Sequence, residues 1–249
     1  MKKIILFFVA LMLSYPAIAA SPTSNVSGPR VSKGKFDTEA RFGHSTKRET
    51  TPHARDYKFR QHIDYGFTDF YAFRLVVAQQ NPDNDNFEHS KLGFENRFHI
   101  VKKEDAGWDF GARLFYDQKD GDKSPHEIGV NLISEIPFAD DWRLRTNVIL
   151  SNQIGENAQG GSLAVIRNKI VRKISANSQS IKNIELGLAM FNDFGKFNNL
   201  DGYETQKHEL RPVIKFSFRN GFYTRMGYGF GISDGNPDRN IQFNVGRKF

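Results

Sequence analysis

The sequence predicts an all-β fold, a single antiparallel up-and-down transmembrane β-barrel of about 12 strands. Three observations carry that prediction. Apolar and polar residues alternate through most of the chain, the period of a strand with two unlike faces. The connections alternate between short turns and long polar loops. Aromatic side chains gather at both ends of the apolar faces, and helical spacing is rare.

The chain opens "MKKIILFFVALMLSYPAIAA", with two lysines, an apolar run and a small-residue site at Ala17-Ile18-Ala19. This is the pattern of a signal peptide over residues 1–19, with Pro16 and the Ala-x-Ala site favouring removal over retention as an anchor. The formal charge is +7, and falls to +5 without Lys2 and Lys3. Residues 20–32, "ASPTSNVSGPRVS", read as a flexible lead-in, and residues 33–249 as the barrel domain, with no repeat and no second domain. Past the signal, no stretch approaches the ~20 consecutive apolar residues of a membrane helix. The sequence has 0 cysteines, so disulfides and thiol chemistry are excluded. Phenylalanine is abundant, at 23 residues against 2 tryptophans.

Strand segments follow at 33–42, 55–64, 67–78, 87–100, 107–117, 126–136, 141–152, 161–174, 183–193, 205–218, 221–232 and 240–249, each near the ~9–11 residues of a tilted membrane-spanning strand. The first carries Asp37 and Glu39 on its polar face. In "YKFRQHIDY", Tyr57, Phe59, Ile63 and Tyr65 oppose Lys58, Arg60, His62 and Asp64. The third and fourth add Arg74, Lys91, Glu95, Arg97 and His99 to the polar side. "GWDFGARLFYD" sets Trp108, Phe110, Leu114 and Tyr116 against Asp109 and Arg113. "HEIGVNLISEI" sets Ile128, Val130, Leu132 and Ile136 against Glu127, Asn131 and Glu135. "WRLRTNVIL" sets Trp142, Leu144, Val148 and Leu150 against Arg143, Arg145 and Asn147. "LAVIRNKIVRKI" has an ambiguous phase, because Val165-Ile166 and Ile170-Val171 are both apolar doublets. Later polar faces carry Glu185, then Lys207, Glu209, Arg211 and Lys215, then Arg225.

Short connections are Tyr65-Gly66, "PFAD" and "RNG"; long ones include "GHSTKRETTPHA", "QQNPDNDN" and "FGKFNNLDGYE". "VKKEDA" and "SANSQSIKN" fall on the short side yet are longer than simple turns. An even strand count with this alternation places both ends of the barrel domain at the short-turn rim.

Alternation alone also fits a soluble sandwich or barrel. The aromatics decide for lipid: Tyr65, Phe67, Trp108, Trp142, Phe218 and Phe222 lie by the short turns, and Phe42, Tyr57, Phe87, Tyr116 and Phe230 by the long loops. Two such girdles are what two membrane interfaces select, and a strand protein in lipid must close into a barrel to pair its backbone. Gln61, Asp69 and Asn96 are polar exceptions on this face. The chain ends "NIQFNVGRKF", with Ile241, Phe243, Val245 and Phe249 as an alternating apolar series and terminal aromatic. This resembles the assembly signal of Gram-negative outer-membrane barrels, with Arg247 departing from the pattern. The resemblance implies a bacterial outer-membrane location and, as partners, outer-membrane lipid, lipopolysaccharide and the barrel-assembly machinery.

The polar face then becomes the inner wall. Its expected pore-lining residues are Lys58, Arg60, Arg74, Lys91, Arg97, Arg113, Glu127, Glu135, Arg143, Arg145, Arg211, Lys215 and Arg225. These charges could neutralise one another across strands, or leave an electropositive path for a small anionic solute. Twelve strands lie between a barrel filled by side chains and a broad channel. The layout resembles the small twelve-stranded oligogalacturonate and sialic-acid porin group in strand count, loop alternation and basic lumen. It implies a porin-like channel for small hydrophilic, anionic solutes; a plugged structural or surface-contact barrel without transport and a barrel enzyme are the alternatives. None of the 7 histidines has serine two positions later, the pair used by outer-membrane phospholipases, so no catalytic residue is expected. No cofactor or metal is expected, because "DQKDGD" and "NPDNDN" are turn-like rather than spaced as calcium loops. Nor is nucleic acid, because the basic residues are spread at period two and form no patch.

Overall fold

The computed structural model describes residues 21–46, 55–82, 86–120, 124–158, 160–197, 199–200, 206–233 and 237–249. The expected signal peptide lies outside them. The strands are β1 (Phe36–Thr46), β2 (Arg55–Gly66), β3 (Tyr71–Pro82), β4 (Glu88–Val101), β5 (Asp109–Gln118), β6 (His126–Ala139), β7 (Trp142–Ile154), β8 (Ser162–Ser175), β9 (Ile181–Lys196), β10 (Asn199–Leu200), β11 (Lys207–Phe218), β12 (Phe222–Gly231) and β13 (Arg239–Lys248). Each pairs antiparallel with its neighbours, and β13 pairs with β1 from Asp37↔Lys248 to Thr46↔Arg239. Strand β9 pairs with both β8 and β11, while β10 adds a two-residue rung at the end of β9. The sheet is therefore a closed twelve-stave barrel, with no free edge along its staves.

Strands β1 and β3 begin three and four residues later than the periodicity predicts. Strand β1 starts at Phe36, not at residue 33, because residues 33–35 turn out of the barrel through Gly34 at φ 70°. Strand β3 starts at Tyr71, not at residue 67, because the Thr68 hydroxyl accepts bonds from the Phe70 and Tyr71 amides and holds 67–70 as a turn. Asp69 belongs to that turn and not to the lipid face, and accepts a bond from the Lys33 amide. The long "VKKEDA" connection is a single helical turn, α1 (Lys103–Ala106), closed by Gly107 at φ 79°. In the other, the Ser178 hydroxyl accepts from the Ser180 and Ile181 amides. Local capping thus absorbs the extra residues at this rim.

The outer face is the apolar one. Leu132, Leu150, Met226 and Phe243 are exposed with no protein layer over them, as are the rim residues Phe67, Trp142, Phe222 and Phe230. Of the remaining expected interface aromatics, Tyr57, Trp108, Tyr116 and Phe218 are half-buried. Two polar residues on this face are answered within the sheet. Tyr71 Oη donates to Asn96 Oδ1 at 2.8 Å, and Thr146 Oγ1 donates to Asn168 Oδ1 at 2.9 Å. Arg247 lies over the rings of Phe222 and Phe249, at 4.9 and 4.4 Å, so its charge is covered by aromatic faces at the rim. Ile241, Phe243, Val245 and Phe249 are all exposed on β13 or just beyond it. No helix of the described residues is long and apolar enough to cross a membrane.

Candidate functional site

The barrel interior holds the charged half of the alternation, and it holds a piece of chain as well. Residues 20–32 read from the sequence as a flexible lead-in; residues 21–32 instead run through the interior. Their Ser, Pro and Gly content is that of a solvated tail, but inward side chains answer the backbone groups. Arg41 donates to the Thr23 carbonyl at 3.2 Å. Arg211 and Gln242 donate to the Ser24 carbonyl at 3.0 and 2.9 Å. Asn147 bonds both the amide and the carbonyl of Ser27 at 3.0 Å. Arg41 is on β1 and Asn147 on β7, which lie six staves apart around a ring of twelve. The strap is therefore bonded to opposite walls.

Further contacts fix its course. Val26, 1% exposed, packs with Ala189 and Phe191 of β9. Arg30 donates twice to Asp109 Oδ2, at 3.0 and 2.8 Å, while His99 and the Lys103 amide occupy Asp109 Oδ1. The wall is shaped for the strap: a Cβ on Gly43 would stand 2.6 Å from Pro22 Cβ, and one on Gly66 would stand 2.0 Å from the Ser32 carbonyl oxygen.

Interior space beside the strap includes two wide cavities. One, of about 480 Å³, lies toward the long loops and contains the expected residues Lys58, Arg60, Lys91, Arg113 and Glu127 in its wall. The other, of about 560 Å³, lies toward the short turns and contains Arg74, Arg97, Glu135, Arg143, Arg145, Lys215 and Arg225. Arg211 lines neither. It is 0% exposed, ion-paired to Glu209 at 2.5 Å and stacked on Phe191 at 4.5 Å, so it holds the strap from beneath.

Ion pairing differs between the two cavities. In the outer one, Lys91 pairs with Asp117, and Lys119 with Glu127 at 2.9 Å, one cation to one carboxylate, and Glu95 is the shared carboxylate. In the inner one, carboxylates are shared. Glu39 serves Arg41 and, at 3.7 Å, Arg225. Asp64 serves Arg74 at 2.9 Å and Arg97 at 2.5 Å. Glu135 serves Arg145 and, at 3.5 Å, Arg143. Glu95, in the wall of the outer cavity, meets Arg60 and Arg113 of that wall and Arg74 of the inner one, at 3.0 to 3.5 Å. Lys215 makes no ion pair among the described residues; its ammonium lies 4.7 Å from the centre of the Tyr223 ring.

Periodicity missed two features of the wall. One is an inward apolar set, Val76, Phe115, Ile133, Ile149 and Val171, all buried. Each abuts an outward apolar neighbour, as in Val76-Val77 or Ile149-Leu150, so a broken alternation was the available signal. The other is β8, whose phase the register settles: Arg167 lines the outer cavity, and Lys169, two residues on, shares its face and is buried. Among the described residues, no group of three His, Asp or Glu side chains could hold a metal ion.

No family model and no curated protein matches the chain. Solved structures do. The COG4313 outer membrane channel from Pseudomonas putida F1 superposes with a TM-score of 0.58 at 10% identity, covering 91% of this chain and 99% of that one. The NanC porin superposes with a TM-score of 0.55 at 9% identity, covering 86% and 98%. The fold is that of small outer-membrane channels: a closed twelve-strand barrel with an apolar girdle.

Proposed function

We propose that the protein is a porin-like channel of the bacterial outer membrane, passing small hydrophilic solutes with a preference for anions through a lumen narrowed by its own N-terminal strap. The observation that carries the reading is the pair of charged cavities, one toward each rim, inside a barrel whose outer face is fit for lipid. A basic wall concentrates anions and disfavours cations by simple electrostatics. The fold similarity supports the channel class but not the solute. Lipid and lipopolysaccharide would contact the girdle, and the exposed series Ile241, Phe243, Val245 and Phe249 suits recognition by the barrel-assembly machinery. No group in the interior is assigned a catalytic role.

A specific observation favours a second reading. A strap hydrogen-bonded to opposite walls is also what a plugged, non-conducting barrel needs. Planar-bilayer recording separates the two. The channel reading expects small stepwise currents whose reversal potential in a salt gradient lies on the anion side. A silent bilayer from correctly folded protein would establish the plugged barrel instead.

A further inference from the structure

We infer that the cavity at the short-turn rim is a binding site for small oxyanions carrying two or more negative charges, phosphate or polycarboxylate, reached from the periplasmic side. This rests on the proposed reading of the lumen as an anion-preferring passage, and assigns that preference to one half of it. The two cavities differ in charge although both are rich in arginine and lysine. The outer wall has six Lys and Arg side chains against six Asp and Glu. The inner wall has ten against five.

The excess follows from the shared carboxylates. Glu39, Asp64 and Glu135 each take two arginines; Arg74 also reaches Glu95 and Arg143 reaches Glu185 at 3.8 Å, while Lys215 stands opposite Glu185 in the β9–β11 register, so the cations of this wall still outnumber its carboxylates. Guanidinium groups bound to one carboxylate on one edge keep donors free on another, which suits bidentate contact with an oxyanion. The volume, about 560 Å³, is that of a small-molecule site. Ser32, Gly66 and Lys248 in its wall lie at the short-turn rim, so the cavity opens there and the strap closes its inner end.

Equilibrium dialysis of the full-length protein in micelles, at low salt, tests the site with radiolabelled inorganic phosphate and separately with citrate. Saturable binding of at least one is expected. Phosphate alone, citrate alone or both would support the site and identify its oxyanion. Lys215→Met should weaken binding about tenfold, the loss of one charge-assisted contact, and Lys215→Arg should retain it. Lys119→Met, in the outer cavity, should leave it unchanged. Absence of saturable binding, equal loss in Lys119→Met, or wild-type binding in Lys215→Met would overturn the inference. Because dialysis needs no current, a silent bilayer refutes passage alone, and anion-selective current without binding refutes the site alone.

Discussion

Removing residues 21–32, so that the barrel begins at Lys33, is expected to raise single-channel conductance several-fold while the barrel stays folded. The twelve staves hold one another through their own ladders, from β1↔β13 round to β8↔β9, and none of those pairs involves the strap. What the strap contributes is occupancy. It fills the middle of the lumen, and its carbonyls are bonded by Arg41, Arg211 and Gln242. In its absence these side chains face water, at modest cost to a wall that is already polar. Heat-modifiable gel mobility reports the folded barrel, and bilayer recording reports the current. An unchanged conductance in a folded deletion variant would mean that the strap is not the constriction.

Replacing Arg211 by methionine should destabilise the barrel by about 3–5 kcal/mol, the cost of breaking a buried ion pair on one side only. Arg211 and Glu209 are both 0% exposed, and the pair also carries Asn240 on Glu209 and the Ser24 carbonyl on Arg211. Methionine keeps part of the packing on Phe191 but leaves Glu209 charged with one partner lost. Adding Glu209→Gln should recover part of the loss, since the uncompensated charge is then gone. Urea unfolding in micelles measures both. Equal stability of the single variant and the wild type would show that water reaches the pair.

Most of the fold was legible because lipid imposes a strict rule on a strand. Leu144, Val148 and Leu150 must be outward and apolar, so their period survives in a single sequence, and so does the turn chemistry that separates strands. The strap was not legible for a physical reason. Residues 21–32 form no ladder and carry no period; their place is fixed by long-range bonds to Asn147, Asp109 and Arg211, which local composition cannot encode. The charged inner residues were readable as a set, but how they share partners was not. That Glu135 would hold both Arg143 and Arg145, while Lys215 would stand opposite Glu185, depends on the barrel's register. The inward aliphatics were obscured because an apolar doublet such as Leu132-Ile133 looks like a phase error from sequence alone.

Lipid contact by the alternate apolar residues is the premise of the channel, and spin labelling along β6 measures it. The native sequence has 0 cysteines, so single cysteines at positions 128 to 134 can be labelled one at a time in vesicles. Collision with dissolved oxygen, which concentrates in hydrocarbon, should oscillate with period two and peak at Ile128, Val130 and Leu132. Peaks at Gly129, Asn131 and Ile133, or a flat profile along the strand, would contradict the barrel's orientation and the channel reading that depends on it.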